Sequence, residues 1–260
     1  MKKLASIDLD GTLFFNRQLA LGTKEALQEW RRRGNIAVCN TGKSIEATKL
    51  AIEHEALPFD YYVLYTGAVV ADKDFSPIIA DTIPTSVVRE VLGEFGARKG
   101  VAVFATTLDS PDVQLANNIS SEGATDLILD FVPLDVADLD KHQFVGIPLW
   151  VDLPEPEFVQ VEQWLRENVG CAVEVHRNQN FLDLVPHGAN KGTGLTHLRE
   201  LVEQELGETV EVHTLGDSWN DLDMHKVADV SVSFPHAPAE VQQAVDVVTE
   251  SAVEYLRTQG

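Results

Sequence analysis

The chain has 260 residues, 44% of them apolar and 23% charged, and its 41 acidic against 20 basic side chains give a formal net charge of -21. That is the composition of a folded globular protein, long enough to bury its core without disulfides or structural zinc as one large or two unequal domains. So negative a surface repels nucleic-acid backbones and anionic lipid, so neither is expected as a partner, and a small anionic substrate needs a metal ion or local cations beside it.

Two cysteines, Cys39 and Cys171, lie too far apart for a metal or redox spacing and read as reduced thiols of a cytoplasmic protein. Asp8 cuts the first apolar run, Leu4-Ala5-Ser6-Ile7, well short of a signal peptide, and no other run approaches a membrane span.

Strands and helices alternate along the first third. Leu4–Leu9 reads as a short buried strand followed by the turn-former Gly11. Thr23 is placed to cap a helix through Arg33, with Leu27 and Trp30 on its apolar face and Gly34 as its stop. Asn35–Asn40 is a second strand, a helix opens at Ser44 and runs to about Leu57, and Tyr61–Tyr65 is a third strand. Ala68–Ala80 has the pattern of a hairpin turning at Asp72-Lys73-Asp74. This order implies a parallel sheet with right-handed crossovers.

The texture changes near Ile83-Pro84. A helix from Thr85 to about Arg98 leads into extended runs at Val101–Thr107, Leu127–Val132 and Ile147–Leu153. A helix at Glu155–Asn168 and paired runs at Ala172–His176 and Phe181–Val185 complete what reads as an inserted α+β domain. From Lys191 the α/β texture resumes, with a helix to about Leu206, a strand at Val210–Leu215, a helix at Asp221–Val227 and a strand at Val230–Phe234.

Three polar clusters each follow an apolar strand: Asp8-Leu9-Asp10-Gly11-Thr12-Leu13, Thr41-Gly42-Lys43, and Gly216-Asp217-Ser218-Trp219-Asn220-Asp221. In an open parallel sheet ligands bind beyond the carboxyl ends of the strands, so all three are expected in one crevice. Asp8, Asp10, Asp217 and Asp221 would repel one another there unless a hard divalent cation sat among them, and oxygen donors suit Mg²⁺. Taken singly, each cluster has an ordinary explanation: a turn, a helix entry, a helix cap. Lys191 alone would be a solvated lysine at a helix start. Their joint occurrence, in this order and at strand ends, favours a shared site.

Together these segments resemble the four motifs of the haloacid dehalogenase superfamily of phosphatases. Asp8 to Leu13 matches the first, Thr41 the second, Lys191 in Asn190-Lys191-Gly192 the third, and Gly216 to Asp221 the fourth. The resemblance implies a Rossmann-like α/β core, residues 1–82 plus 187–260, with an α+β cap domain, residues 83–186, inserted between the second and third motifs. That placement resembles the Cof-type branch, subclass IIB, which includes many sugar-phosphate phosphatases. Two positions depart from it. The branch usually has Arg where this chain has Lys43, and often Gly-Asn-Ala after the last core strand, where this chain reads Phe234-Pro235-His236-Ala237.

Phosphoryl transfer needs an in-line nucleophile, charge neutralisation and a proton for the leaving oxygen. Asp8, at the strand tip, is expected to attack phosphorus and form an aspartyl phosphate. Asp10 would protonate the leaving alkoxide and then deprotonate water, with Gly11 allowing the tight turn. Mg²⁺ would be held by the Asp8 carboxylate, the Asp10 backbone carbonyl and Asp217, with Asp221 acting directly or through water. The resemblance further assigns the phosphoryl oxygens to Lys191, Thr41, Asn220 and the amides of Leu9 and Gly42. Arg177, near the end of a cap strand, is a candidate for contacting the rest of the substrate.

The expected substrate is a small phosphorylated metabolite, and a monomer is the default. Two alternatives remain open: a phosphomutase that returns the phosphoryl group to a hexose phosphate, and a signalling module phosphorylated on aspartate.

Overall fold

Leu4, Ala5, Ser6 and Ile7 are consecutive and all buried, as in a central parallel strand covered on both faces. They belong to β1 (Lys2–Ile7). A short hairpin of β2 (Phe14–Phe15) and β3 (Gln18–Leu19) follows, then β4 (Ile36–Asn40), β5 (Tyr61–Leu64), β6 (Val69–Asp72) and β7 (Pro77–Ala80). Next come β8 (Val101–Thr107), β9 (Val113–Asn117), β10 (Val132–Pro133), β11 (Phe144–Val151), β12 (Val173–Asn178) and β13 (Phe181–Pro186). The chain ends with β14 (Val210–Leu215), β15 (Val230–Ser233) and β16 (Val247–Val248). The structure, a computed structural model, describes residues 1–52, 54–109, 111–119 and 132–259. They divide into two compact units, Met1–Ile79 with Asn190–Gly260, and Ala80–Ala189.

In the first unit the sheet order is β16-β15-β14-β1-β4-β5-β6-β7. Pairing is parallel from β16 to β5, and β6 then runs antiparallel to β5. The register sets Ile7 beside both Leu215 and Cys39. Residues that follow β1, β4 and β14 therefore leave the sheet at one edge, as expected from the sequence. The hairpin expected over Ala68–Ala80 is β6 and β7, its turn held by Asp72 Oδ1, which accepts from the amides of Asp74 and Ser76.

The helix Thr23–Arg32 buries Ala26, Leu27 and Trp30, and the Trp30 indole donates to the Ile36 carbonyl at 2.8 Å. Thr23 does not cap it. Gly22, at φ 85°, holds the N-cap position, and the Thr23 hydroxyl donates back to the Ala20 carbonyl at 2.7 Å. The helix Lys191–Leu206 packs Leu195, Leu198 and Val202 against Leu4, Val38, Val63 and Val212. Asn190 begins it with a capping box, its side chain accepting from the amides of Gly192 and Thr193. Lys191 is thus the first helical residue, fixed from both sides.

The second unit's sheet has the order β10-β9-β8-β11-β13-β12. The helices Thr85–Phe95 and Glu155–Asn168 cover one face. Val88, Val91, Phe95, Phe158, Val161 and Leu165 pack there on alternate strand residues such as Val103, Leu149, Val175 and Leu184. Glu174, His176, Asp183 and Trp150 have the opposite parity. The extended run expected at Leu127–Val132 lies outside the described residues except for Val132, which opens β10.

Candidate active site

One fully buried ammonium organises the carboxyl edge of the first unit. Lys191 Nζ donates to Asp8 Oδ1 and to Asp221 Oδ1, each at 2.6 Å. The other oxygen of Asp221 accepts from the amides of Asp217 at 3.0 Å and Ser218 at 2.9 Å. Thr12 donates its hydroxyl to Asp217 Oδ1 at 3.1 Å. One oxygen each of Asp8, Asp217 and Asp221 lies within 4.8 Å of the others. Asp8 is locked by its backbone, its amide donating to the Leu215 carbonyl at 2.9 Å.

The electrostatics follow from burial. Desolvation pushes the Asp8 carboxyl up to about 7; Lys191 pulls against this, and the charges of Asp221 and Asp217 reinforce it. Burial opposes the charge on Lys191 as well, yet Asp8 and Asp221 together hold it above the ordinary lysine range. The two shifts have different causes: burial raises Asp8 against the pull of Lys191, whereas two neighbouring carboxylates raise Lys191 against burial. Burial also raises Asp217, with the Thr12 hydrogen bond opposing. With all three carboxylates ionised, one lysine leaves two negative charges uncompensated, and the donors are hard oxygens. The cluster therefore fits a divalent cation such as Mg²⁺. Asp221 already engages both oxygens with protein donors, so Asp8 and Asp217 offer the freer ligand atoms.

The remaining sequence candidates are placed as follows. Asp10 is exposed, and its Oδ2 lies 2.6 Å from Lys43 Nζ. Leu9 is buried, and its carbonyl accepts from the amides of Leu13 and Phe14. Gly11 has φ 86° and abuts the Asp217 carboxylate. Thr41 is buried, its amide on the Val63 carbonyl and its hydroxyl accepting from the Lys43 amide at 3.3 Å. Gly42 is exposed beside it, and Asn220 is exposed in the 3-10 turn Trp219–Asp221. Arg177 belongs to the second unit. Its guanidinium makes a bidentate pair with Glu155 and lies 4.0 Å from the Phe158 ring centroid, on the helix-covered face.

A buried polar layer supports the cluster from below. Asn40 Nδ2 donates to Ser6 Oγ at 3.0 Å and to the Lys191 carbonyl at 3.1 Å, while Thr214 Oγ1 bonds His225 Nδ1 at 2.8 Å. Three contacts went unread in the sequence: Thr12 on Asp217, Lys43 on Asp10, and His236, whose Nε2 lies 2.8 Å from the Gly11 carbonyl. Lys43 and the segment Phe234-Pro235-His236-Ala237 are the two departures from the family pattern, which is the sequence signal for the second and third of these contacts.

The sequence model of the haloacid dehalogenase-like hydrolases matches residues 5–254. The chain belongs to that family. The chain is 23% identical to the 5-amino-6-(5-phospho-D-ribitylamino)uracil phosphatase YcsE of Bacillus subtilis, over 97% of this chain and 91% of that protein. The solved structure of TM0651 from Thermotoga maritima matches with a TM-score of 0.81 at 21% identity, covering 99% of this chain and 97% of that one. BT4131, described as a haloacid dehalogenase subclass IIB sugar phosphatase, matches with a TM-score of 0.76 at 19% identity, covering 100% and 99%. These structural likenesses establish the haloacid dehalogenase fold, and the phosphatase expected from the four motifs agrees with the family.

Proposed function

We propose that the chain is a Mg²⁺-dependent phosphatase that hydrolyses small phosphate monoesters, sugar phosphates foremost, through an aspartyl phosphate on Asp8. The observation that carries this reading is the Asp8–Lys191–Asp221 bridge beside Asp217, a buried nucleophile candidate with its counter-charge already in place. Mg²⁺ would be held by Asp8, the Asp10 carbonyl and Asp217, with Asp221 fixing the loop behind them. When bound, it supplies charge neutralisation for the phosphoryl group. The sugar-phosphate class is supported by the likeness to BT4131, a subclass IIB sugar phosphatase, and by the position of the inserted unit in the sequence.

Asp8 attacks phosphorus, and the bond to the leaving oxygen breaks as Asp10 gives that oxygen a proton. Water then attacks the same phosphorus while Asp10 takes its proton, and cleavage of the acyl-phosphate P–O bond restores Asp8. Lys191, Thr41, Asn220 and the amides of Leu9 and Gly42 hold the phosphoryl oxygens. The test is phosphate release from a panel of phosphorylated metabolites, with Mg²⁺ and with excess chelator. Release that needs Mg²⁺, with a phosphoryl group trapped on the peptide containing Asp8, is expected. Full activity in chelator overturns the metal requirement. Conversion of a hexose 1-phosphate into its 6-phosphate without free phosphate would make the chain a mutase.

A further inference from the structure

Asp10 is the carboxyl group to which the proposed reaction assigns both proton transfers, and its side chain is 66% exposed. Among the described residues its carboxylate has one partner, Lys43, whose Nζ lies 2.6 Å from Oδ2. A side chain this exposed has staggered rotamers open to it once that partner is removed, and a general acid displaced by about an ångström loses on the order of 10²-fold in rate. Something must hold it.

Lys43 stands on a fixed backbone. Its amide donates to Thr41 Oγ1 at 3.3 Å and its carbonyl accepts from the Tyr65 amide at 3.0 Å. Tyr65, Thr66 and Gly67 take φ of 50°, 54° and 93°, three left-handed residues in succession. Gly67 abuts the backbone of Asn190, the residue that caps the Lys191 helix, leaving no room for a Cβ. The base of Lys43 is therefore tied to the element that carries Lys191, whereas the Asp10 carboxylate has Lys43 as its one polar partner among the described residues.

We propose that Lys43 is the positioning residue for Asp10. Its ammonium holds Oδ2 and leaves Oδ1 to face first the leaving oxygen and then the attacking water. The inference rests on the phosphatase reading and adds to it the group that aims the proton carrier. An exposed ion pair contributes about 0–1 kcal/mol to stability, so the role of Lys43 is read in the reaction steps and not in the melt.

The experiment uses the full chain with Mg²⁺ and compares wild type, Lys43→Met, Lys43→Gln and Lys43→Arg. An aryl phosphate, whose phenolate leaves without a proton, phosphorylates Asp8 in a pulse, and decay of the phosphoenzyme is followed by intact mass. A sugar phosphate is assayed alongside. In Lys43→Met and Lys43→Gln, phosphoenzyme decay and sugar-phosphate kcat should slow about ten-fold or more relative to aryl phosphorylation, and Lys43→Arg should recover most of the loss. A KM that rises equally for both esters, or slowed phosphorylation with normal decay, overturns the inference and makes Lys43 a ligand of the phosphoryl group. Unchanged steps in all variants overturn it too. A wild type that hydrolyses no monoester instead removes the phosphatase reading, and the inference falls with it.

Discussion

Gly11 and Asp217 lie so close that a Cβ on residue 11 would fall on the Asp217 carboxylate. The contact joins the turn after β1 to the loop after β14 across about two hundred residues of sequence, and it depends on the glycine twice. Gly11 sits at φ 86°, where an L side chain is strained, and its hydrogen is all the space allows. Gly11→Ala should therefore cost stability on the order of 1 kcal/mol for the backbone alone and displace Asp217 in addition. Thermal melts with and without Mg²⁺ check both parts: a lower Tm in chelator, and a smaller upward shift on adding the ion. An undisturbed Mg²⁺ shift would mean that Asp217 is not a ligand.

Asp217 itself separates metal binding from folding. Burial raises its carboxyl, so the ionised form opposes folding. The corresponding stability is present at low pH and is lost as pH rises through the raised value. Asp217→Asn should then leave the chelator-treated protein as stable as wild type, or more so, at pH 8. The Mg²⁺-dependent stabilisation, about 2.7 kcal/mol at a hundred times Kd, should nearly vanish. Loss of folding at saturating Mg²⁺ would return Asp217 to a structural role in its loop.

Lys191 is the opposite case. Removing its charge leaves Asp8 and Asp221 buried with no cation between them. Breaking a buried pair in this way costs about 3–5 kcal/mol. Lys191→Met should lose that much in urea melts in chelator, together with all turnover. A variant of normal stability would show that the two carboxylates take up protons readily when the lysine is gone.

Much of this site was legible because each motif directly follows an apolar strand, and parallel pairing of β1 with β4 and β14 forces the strand ends together. What was hidden depends on the third dimension. The Lys43–Asp10 contact spans two strands and cannot be read from spacing along the chain. Thr23 looked like a cap, but Gly22 adopts the left-handed conformation that ends the preceding turn and takes that place. Arg177 and His176 are adjacent in sequence, yet strand parity sends Arg177 to the helix face, against Glu155 and Phe158. The β2–β3 hairpin has two residues per strand, too few to establish a period.

Asp183 gives the second unit a pH signature. Its cross-strand neighbours are His176 and Pro148, and burial pushes its carboxyl up to about 6. A raised carboxyl contributes stability that is fully present below the ordinary value near 4 and is lost as pH rises through 6. Asp183→Asn should therefore raise stability at pH 7.5, by about 3 kcal/mol at most, and change little at pH 3.5. Melts across pH 3.5–8 read the difference directly. A variant destabilised at every pH would mean that the carboxylate is held by a favourable partner.

The two carboxylates after β1 have different surroundings, and their substitutions should have different kinetic signatures. Asp8 is buried against Lys191, so no other group can reach its in-line position, and Asp8→Asn should abolish turnover of every ester. Asp10 is exposed on Lys43, and its loss should depend on the leaving group. A sugar alkoxide leaves poorly without a proton, so Asp10→Asn should lose the ~10²–10⁴-fold typical of general acid catalysis. An aryl phosphate should still phosphorylate Asp8, after which the second step stalls because no base activates water. The Asp10→Asn protein mixed with an aryl phosphate should thus release a burst of phenol, close to one equivalent per enzyme, and gain one phosphoryl group on the peptide containing Asp8. A missing burst while substrate still binds, or phosphate on another peptide, would reverse the division of labour between the two aspartates.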